Sequence, residues 1–283
     1  MKADRKIRIY NKAVAVVTGG ASGIGRALGE ELARRGCEVL LADRQIKEAN
    51  EVAVRIQKNG GKAETVCTDV TDFSAMEHLI RYAVESRGRL DYLFNNAGIA
   101  MGGAAEQLQI EDWYKTVDVN LRGVINGVHA TYPVMIRQGF GHIVNTGSMA
   151  GLMPNPLNIP YAATKHAVVG LSMSLRAEAA HLGIRVSVLC PGVIRTPILE
   201  GGRFGSIKMN MPPEKLREIW ETLKPMPPDD FAKAALNAVA GNKAIIILPA
   251  RWKVAWWLNR LSPSLGTAFV TRRYANIRKK MGL

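Results

Sequence analysis

Short apolar runs closed by Gly, Asp or Asn alternate along this chain with longer amphipathic segments, and few folds accept that rhythm. Strands buried on both faces of a parallel sheet read as continuous apolar runs, and each needs a helical crossover to reach the next. The runs lie at 13–18, 38–42, 63–67, 90–94, 141–147, 184–190 and 243–248. Helical patterns between them cover about 24–35, 46–58, 73–87, 110–137, 160–182 and 228–241, ending at Gly36, Gly60, Gly88, Gly139, Gly183 and Gly241 as helix C-caps do. The expectation is an α/β fold: a doubly wound parallel sheet of seven strands with helices on both faces and a ligand crevice at the carboxyl ends of the strands.

Length and charge divide the chain. At 283 residues it suits one α/β domain with extensions. Of the net charge of +14, residues 1–12 supply five basic residues and one acidic, and residues 249–283 supply eight basic and no acidic ones, so the ends hold +12. The expected division is a basic N-terminal arm at 1–12, a domain at 13–248 and a basic C-terminal extension at 249–283. A nearly neutral domain argues against a nucleic-acid partner. Cys37, Cys67 and Cys190 are far apart and read as reduced thiols; His78, His129, His142 and His181 lack metal spacing, so no metal is expected. No stretch approaches the ~18 apolar residues of a membrane span, and a cytoplasmic location is expected.

Directly after the first apolar run comes Thr18-Gly19-Gly20-Ala21-Ser22-Gly23-Ile24-Gly25, opening a helix. Gly19, Gly23 and Gly25 let the backbone turn tightly and bring a pyrophosphate to the positive helix N-terminus, beside Ser22. Twenty residues past Gly23, Asp43 ends the second run, where a carboxylate accepts hydrogen bonds from an adenosine ribose and repels a 2′-phosphate. NAD is therefore favoured. Arg44 follows immediately and leaves NADP open as a cofactor, although Ser22 stands where a further base would strengthen that choice.

The glycine turn, Asn95-Asn96-Ala97-Gly98, Asn120, Ser148, Tyr161 with Lys165, and Pro191-Gly192 occur in an order that resembles the short-chain dehydrogenase/reductase family, over about residues 12–248. The resemblance implies a Rossmann-type fold, a hydroxyl or carbonyl substrate, and a homodimer or homotetramer built through the helices at 110–137 and 160–182. It also implies catalysis by Asn120, Ser148, Tyr161 and Lys165. Spacing of four places Tyr161 and Lys165 on one helix face. A free tyrosine titrates near ~10 and needs nearby positive charge to serve as a base at neutral pH, which Lys165 and an oxidised nicotinamide would supply. Ser148 would reach both the substrate oxygen and Tyr161, Asn120 would hold a water beside Lys165, and Lys165 would also bind the nicotinamide ribose. Cofactor contacts carry over to Ile24, to Asp69 and Val70 at the adenine, to Asn95, Ala97 and Gly98, and to Pro191, Gly192, Ile194 and Thr196 at the carboxamide. His166, on another helix face, reads as structural.

Residues 193–228 form a long segment rich in Gly, Pro and Met (Gly201, Gly202, Gly205, Met209, Met211, Met226), with apolar Ile198, Leu199, Phe204 and Trp220. A loop of that length in this place is expected to close over the nicotinamide. Its apolar content favours a hydrophobic alcohol or ketone, and the ending after the seventh run resembles lipid-alcohol and steroid-type members of the family, which implies a steroid, retinoid or lipid-like substrate. Two other readings stand beside this one: a nucleotide-sensing binding protein without turnover, and a ketoreductase acting on carrier-bound acyl substrates. An intact Asn120, Ser148, Tyr161 and Lys165 set argues against the first, and basic residues gathered at the chain ends, away from an active-site mouth, argue against the second. In the extension, Trp252, Trp256 and Trp257 with Val254, Leu258 and Leu261 make an apolar flank edged by Arg251, Lys253 and Arg260. At ~1 kcal/mol per basic residue near an anionic bilayer, it is expected either to touch a membrane peripherally or to pack across a subunit interface, with covering of its own core as the competing reading.

Overall fold

The computed structural model describes residues 6–201, 204–208 and 212–281. Seven parallel strands form the main sheet in the spatial order β3-β2-β1-β4-β6-β7-β9. They are β1 (Val14–Thr18), β2 (Glu38–Asp43), β3 (Lys62–Cys67), β4 (Tyr92–Asn95), β6 (Gly141–Thr146), β7 (Ile184–Pro191) and β9 (Ile245–Leu248). The chain runs outward from β1 to β3, then returns across the sheet to β4 on the other side of β1. That reversal splays the connections after β1 and β4 and opens the crevice between them.

Alternation along each strand explains why the runs are apolar throughout. Ala15 and Val17 enter one buried cluster with Leu28, Leu32, Val39, Leu41, Phe94 and Phe231, under α1 (Gly23–Arg34), α2 (Ile46–Lys58) and α8 (Pro228–Ala240). Val14 and Val16 enter the opposite cluster with Leu40, Met76, Leu79, Leu93, Ile143 and Val186, under α3 (Phe73–Arg87), α5 (Gly123–Gln138) and α6 (Ile159–Ala179). Both sheet faces are thus dry. Of the expected helix caps, Gly241 departs: its φ is −75°, and Asn242 takes the left-handed conformation instead at φ 52°. An asparagine tolerates that region through its short polar side chain.

Three expectations change in the structure. The helical pattern at 110–137 is α4 (Ile110–Val117) and α5 separated by a π turn at Asp118–Arg122. The segment 193–228 is not a plain loop: it contains β8 (Gly205–Ile207), paired in parallel with β5 (Ala100–Gly102), and α7 (Pro213–Thr222). Gly202, Met209 and Met211 of that segment lie outside the described residues. Residues 6–12 are not a free basic arm either, because Tyr10 is buried, stacks on Tyr92 at 5.4 Å and donates to the Leu236 carbonyl. After β9 come α9 (Trp252–Leu261) and α10 (Pro263–Met281). Among the described residues no helix is long and apolar enough to cross a membrane.

Candidate active site

The crevice is built from backbone first. Gly19 has φ +69°, and a Cβ there would lie 2.9 Å from Ala97 Cα; a Cβ on Gly25 would lie 2.0 Å from the Gly19 carbonyl oxygen. Only glycine allows this curl. Helix α1 then begins at Gly23 with no side-chain cap from Ser22, so its first-turn N–H groups have no acceptor within the helix. Bare first-turn donors over glycines that a Cβ would fill fit the pyrophosphate of a dinucleotide. Asp43 fits the adenosine ribose only in part: Oδ2 accepts from Ala21 N at 3.0 Å and Oδ1 from Gln45 N at 2.9 Å, which orients the carboxylate and leaves one further lone pair on each oxygen. Arg44 turns to Asp69 at 3.3 Å in an exposed pair, and Thr71 donates to the same carboxylate from its N–H at 2.9 Å and its hydroxyl at 2.8 Å. Burial alone would push the Asp69 carboxyl up; these donors and the Arg44 charge outweigh it and hold it below the usual carboxylate range.

Around β4 and β6 the side chains are tied into the scaffold. Thr18 Oγ1 accepts from Asn96 N at 3.0 Å and Ala97 N at 3.1 Å, while Asn96 Nδ2 donates to the Thr18 carbonyl at 3.1 Å. Asn95 is tied into the sheet. Its Nδ2 donates to Asn145 Oδ1 at 2.9 Å, and its Oδ1 lies against Gly127 of α5, where a Cβ would sit 2.0 Å away. The side chain therefore bridges β4 and β6. Val70 packs against Gly123, and its carbonyl accepts from Asn126 at 2.9 Å. Thr196 lays its methyl and Cβ 3.3 Å from the Cβ position of Gly23, and Ile194 is buried in a bridge to Met226. Ile24 packs on the first core cluster.

Helix α6 brings Tyr161 and Lys165 to the end of β6. Lys165 Nζ donates to the Thr146 carbonyl at 2.8 Å and stands 5.5 Å from the Tyr161 ring centre. Ser148 caps the short turn Met149–Gly151, its Oγ accepting from Ala150 N at 3.1 Å, and it also hydrogen-bonds Tyr161. Asn120, in the π turn, binds Ile99 through both ends of its amide, accepting at 2.8 Å and donating at 2.9 Å. Its Nδ2 also donates to Thr164 Oγ1 on α6 at 3.4 Å. Gly98 lies where these meet, since a Cβ there would be 3.1 Å from Asn120 Oδ1 and 3.5 Å from Lys165 Nζ. Burial sets the electrostatics. It lowers Lys165 to about 8 and pushes the Tyr161 hydroxyl up, with the Ser148 hydrogen bond pulling the latter partway back.

A model of the short chain dehydrogenase family matches residues 13–203. The chain belongs to that family. This short-chain dehydrogenase is 36% identical over 227 residues to 2,5-dichloro-2,5-cyclohexadiene-1,4-diol dehydrogenase of Sphingobium indicum, covering 79% of this chain and 87% of that protein. It is 38% identical over 192 residues to cyclohexanol dehydrogenase of an Acinetobacter strain, covering 67% of this chain and 76% of that one. A solved short chain dehydrogenase/reductase of Burkholderia phymatum in complex with NAD superposes with a TM-score of 0.81 at 30% identity, over 92% of this chain and 96% of that one. The protein is thus a nicotinamide-dinucleotide oxidoreductase acting on CH–OH donors. Of the expected site residues, Asn120 and Lys165 meet beside Gly98 and Ser148 hydrogen-bonds Tyr161 on the same helix as Lys165, while the side chains of Asn95, Val70, Ile24 and Ile194 are engaged in packing. Sequence reasoning assigned no contact in the crevice to Thr18, Thr146 or Trp252. Thr18 and Thr146 end strands at the crevice, which their positions could have signalled; Trp252 reaches Gly192 only through the tertiary fold, with Nε1 2.2 Å from where a Cβ would sit.

Proposed function

We propose that this short-chain dehydrogenase interconverts a hydrophobic alcohol and its ketone, with Tyr161 as general acid and base and NAD as the preferred cofactor. The observation that carries the proposal is the convergence of Tyr161, Ser148 and Lys165 at the end of β6, with Lys165 Nζ anchored on the Thr146 carbonyl at 2.8 Å. A bound nicotinamide would exchange the hydride with the carbinol carbon. The chain supplies the rest. Ser148 orients the substrate oxygen against the Tyr161 hydroxyl, which gives its proton in reduction and takes one in oxidation. Because burial raises the phenol, it is well held as an acid; oxidation relies on the positive charge of Lys165 and of an oxidised nicotinamide beside it. The first-turn donors of α1 with Gly19, Ser22, Gly23, Ile24 and Gly25 would hold the pyrophosphate, Asp43 the adenosine ribose, and Lys165 the nicotinamide ribose.

The substrate class rests on apolar Ile198, Leu199, Phe204 and Trp220 in the segment 193–228, proposed to close over the nicotinamide, and on relatives named for ring alcohols. Those names make an alicyclic secondary alcohol the first to test, ahead of steroid, retinoid or lipid-like ones. Residues 13–248 are proposed as the catalytic domain. The free thiols of Cys37, Cys67 and Cys190 support a cytoplasmic enzyme, with 249–283 touching a membrane peripherally.

The test is Tyr161→Phe assayed on apolar ring alcohols and ketones with both cofactors. It should lower kcat by ~10²–10⁴-fold while NAD affinity stays within a few fold. For the native protein, kcat/KM should favour NAD by at least ~10-fold, about 1.4 kcal/mol. Native turnover by Tyr161→Phe would remove the mechanism, an NADP preference would mean that Arg44 governs, and NAD binding with no turnover of any substrate would favour the sensing reading.

A further inference from the structure

Helix α9 divides its large residues between two faces. Trp252 and Trp256 turn inward onto the buried cluster of Val124, Met149, Val168, Cys190 and Ile247, and Asn259 donates to the Leu152 carbonyl at 3.3 Å. Helix α10 follows suit: Val270 and Tyr274 face Pro154 and Ile159 across a cavity of about 420 Å³, and Arg278 pairs with Glu106 at 2.7 Å. The hairpin is therefore anchored to its own chain by its inner side.

Its outer side carries a continuous apolar stripe. Val254, Trp257, Leu258 and Leu261 are 63, 53, 63 and 78% exposed, and Leu265 and Phe269, at 72 and 67%, extend the row onto α10. Each of the six is more than half exposed. Lys253, Arg272 and Arg273, all exposed, flank the stripe in sequence, the exposed Arg260 lies over the Trp256 ring at 5.7 Å, and the extension contains no acidic residue.

We propose that this outer face docks on an anionic phospholipid bilayer, with the six apolar side chains in the headgroup layer and the flanking cations on lipid phosphates. Such docking deepens the peripheral contact already proposed, and it is independent of the chemistry at Tyr161. Two properties select this occupant. A second copy of the face would bring two acid-free surfaces of the same sign together in an isologous pair, which Coulomb repulsion opposes. A nucleic acid would meet the cations but leave Val254, Leu258, Leu261 and Leu265 with nothing to bury against. Tryptophan at the headgroup boundary, aliphatic residues below it and bases alongside are what an interfacial helix requires.

The full chain should be sedimented with vesicles of phosphatidylcholine alone and of phosphatidylcholine with phosphatidylglycerol, at low and high salt. Binding to the phosphatidylglycerol vesicles at low salt should be at least ~10-fold tighter, and it should fade as the Debye length shrinks from ~10 Å at 0.1 M to ~3 Å at 1 M. The double variant Trp257→Glu/Leu258→Glu alters only exposed positions; it should keep the native melting temperature and lose at least ~10-fold in vesicle binding. Arg272→Glu/Arg273→Glu should remove most of the preference for phosphatidylglycerol. Tyr161→Phe should sediment like the native chain, which separates this surface from the catalytic reading. Negligible sedimentation of the native chain with both vesicles would overturn the proposal, as would native binding by the Trp257/Leu258 variant. A lipid-free oligomer that the same variant dissolves would instead give the face to a second copy.

Discussion

One buried histidine makes the folded protein resist a proton. His142, in β6, is fully buried with Nε2 2.9 Å from Ser187 Oγ, and the Ser187 hydroxyl donates to the Lys243 carbonyl at 2.7 Å. The serine has a single proton, so Nε2 carries the imidazole proton and donates to it. Nδ1 is then a bare acceptor with no hydrogen-bond partner among the described residues. Protonating it would bury a charge; burial, followed by the charges of Arg185 and Arg176, lowers the pKa from 6.5 to about 3. Between those values the unfolded chain binds a proton that the folded one refuses. Stability from this group is complete above pH 6.5 and is lost progressively as the pH falls toward 3. Urea unfolding at pH 7 and pH 4.5 should show the native protein losing roughly 2–3 kcal/mol more than His142→Gln, which keeps a donor toward Ser187. Equal losses in the two proteins would mean that His142 is charged in the folded state. Sequence spacing could exclude His142 from a metal set, but its tautomer depends on Ser187 and Lys243, which strand pairing alone brings near.

At the scale of elements, the join between β7 and α9 is a tight constraint. A methyl on Gly192 would lie 2.2 Å from the Trp252 indole nitrogen and 2.4 Å from its Cδ1, while Gly192 N is held by the Leu248 carbonyl at 2.8 Å. Gly192→Ala should therefore destabilise by roughly 1–3 kcal/mol, the usual result of overpacking. Trp252→Leu also costs stability but opens the space, so a double-mutant cycle by urea unfolding should show a coupling of about 1 kcal/mol or more, with the pair less damaging than the sum. Additive effects would show that the indole does not confine Gly192. Other elements differ in how far they were legible. Helix α7 had a readable signal in Pro213 at its start, Glu214 in its first turn and Leu216, Ile219 and Trp220 at helical spacing. Strands β5 and β8 have three residues each, too few for alternation to speak, and the π turn at Asp118–Arg122 does not interrupt the apolar rhythm of its helices.

For the whole molecule, exposed Ile110 and Tyr114 on α4, Ile125 and Ile136 on α5 and Ile159 on α6 leave large apolar side chains on the helices expected to meet a partner. Burying such a surface at ~800 Å² per subunit would give a stable dimer. The expected result is a homodimer or homotetramer by analytical ultracentrifugation. Tyr114→Glu/Ile125→Glu should shift it toward monomer, since both positions are exposed in the single chain and an introduced charge would be stranded at a buried interface. A monomer at all concentrations would assign these residues no role in assembly.

Read from the sequence by itself, the seven strands, the glycine turn on α1 and the shared helix face of Tyr161 and Lys165 were determinable, because each depends on local spacing, whereas Asn120 and Ser148 were reached through the family resemblance. Contacts between residues far apart in the chain had no such local signature. Only the tertiary structure decided that Asn95 faces Gly127, that burial raises Tyr161 and depresses Lys165, and that Trp252 and Trp256 cover the core while Trp257 faces outward. The physical reason is common to all three. Side-chain direction, desolvation and the choice of helix face are set by what the rest of the fold places opposite.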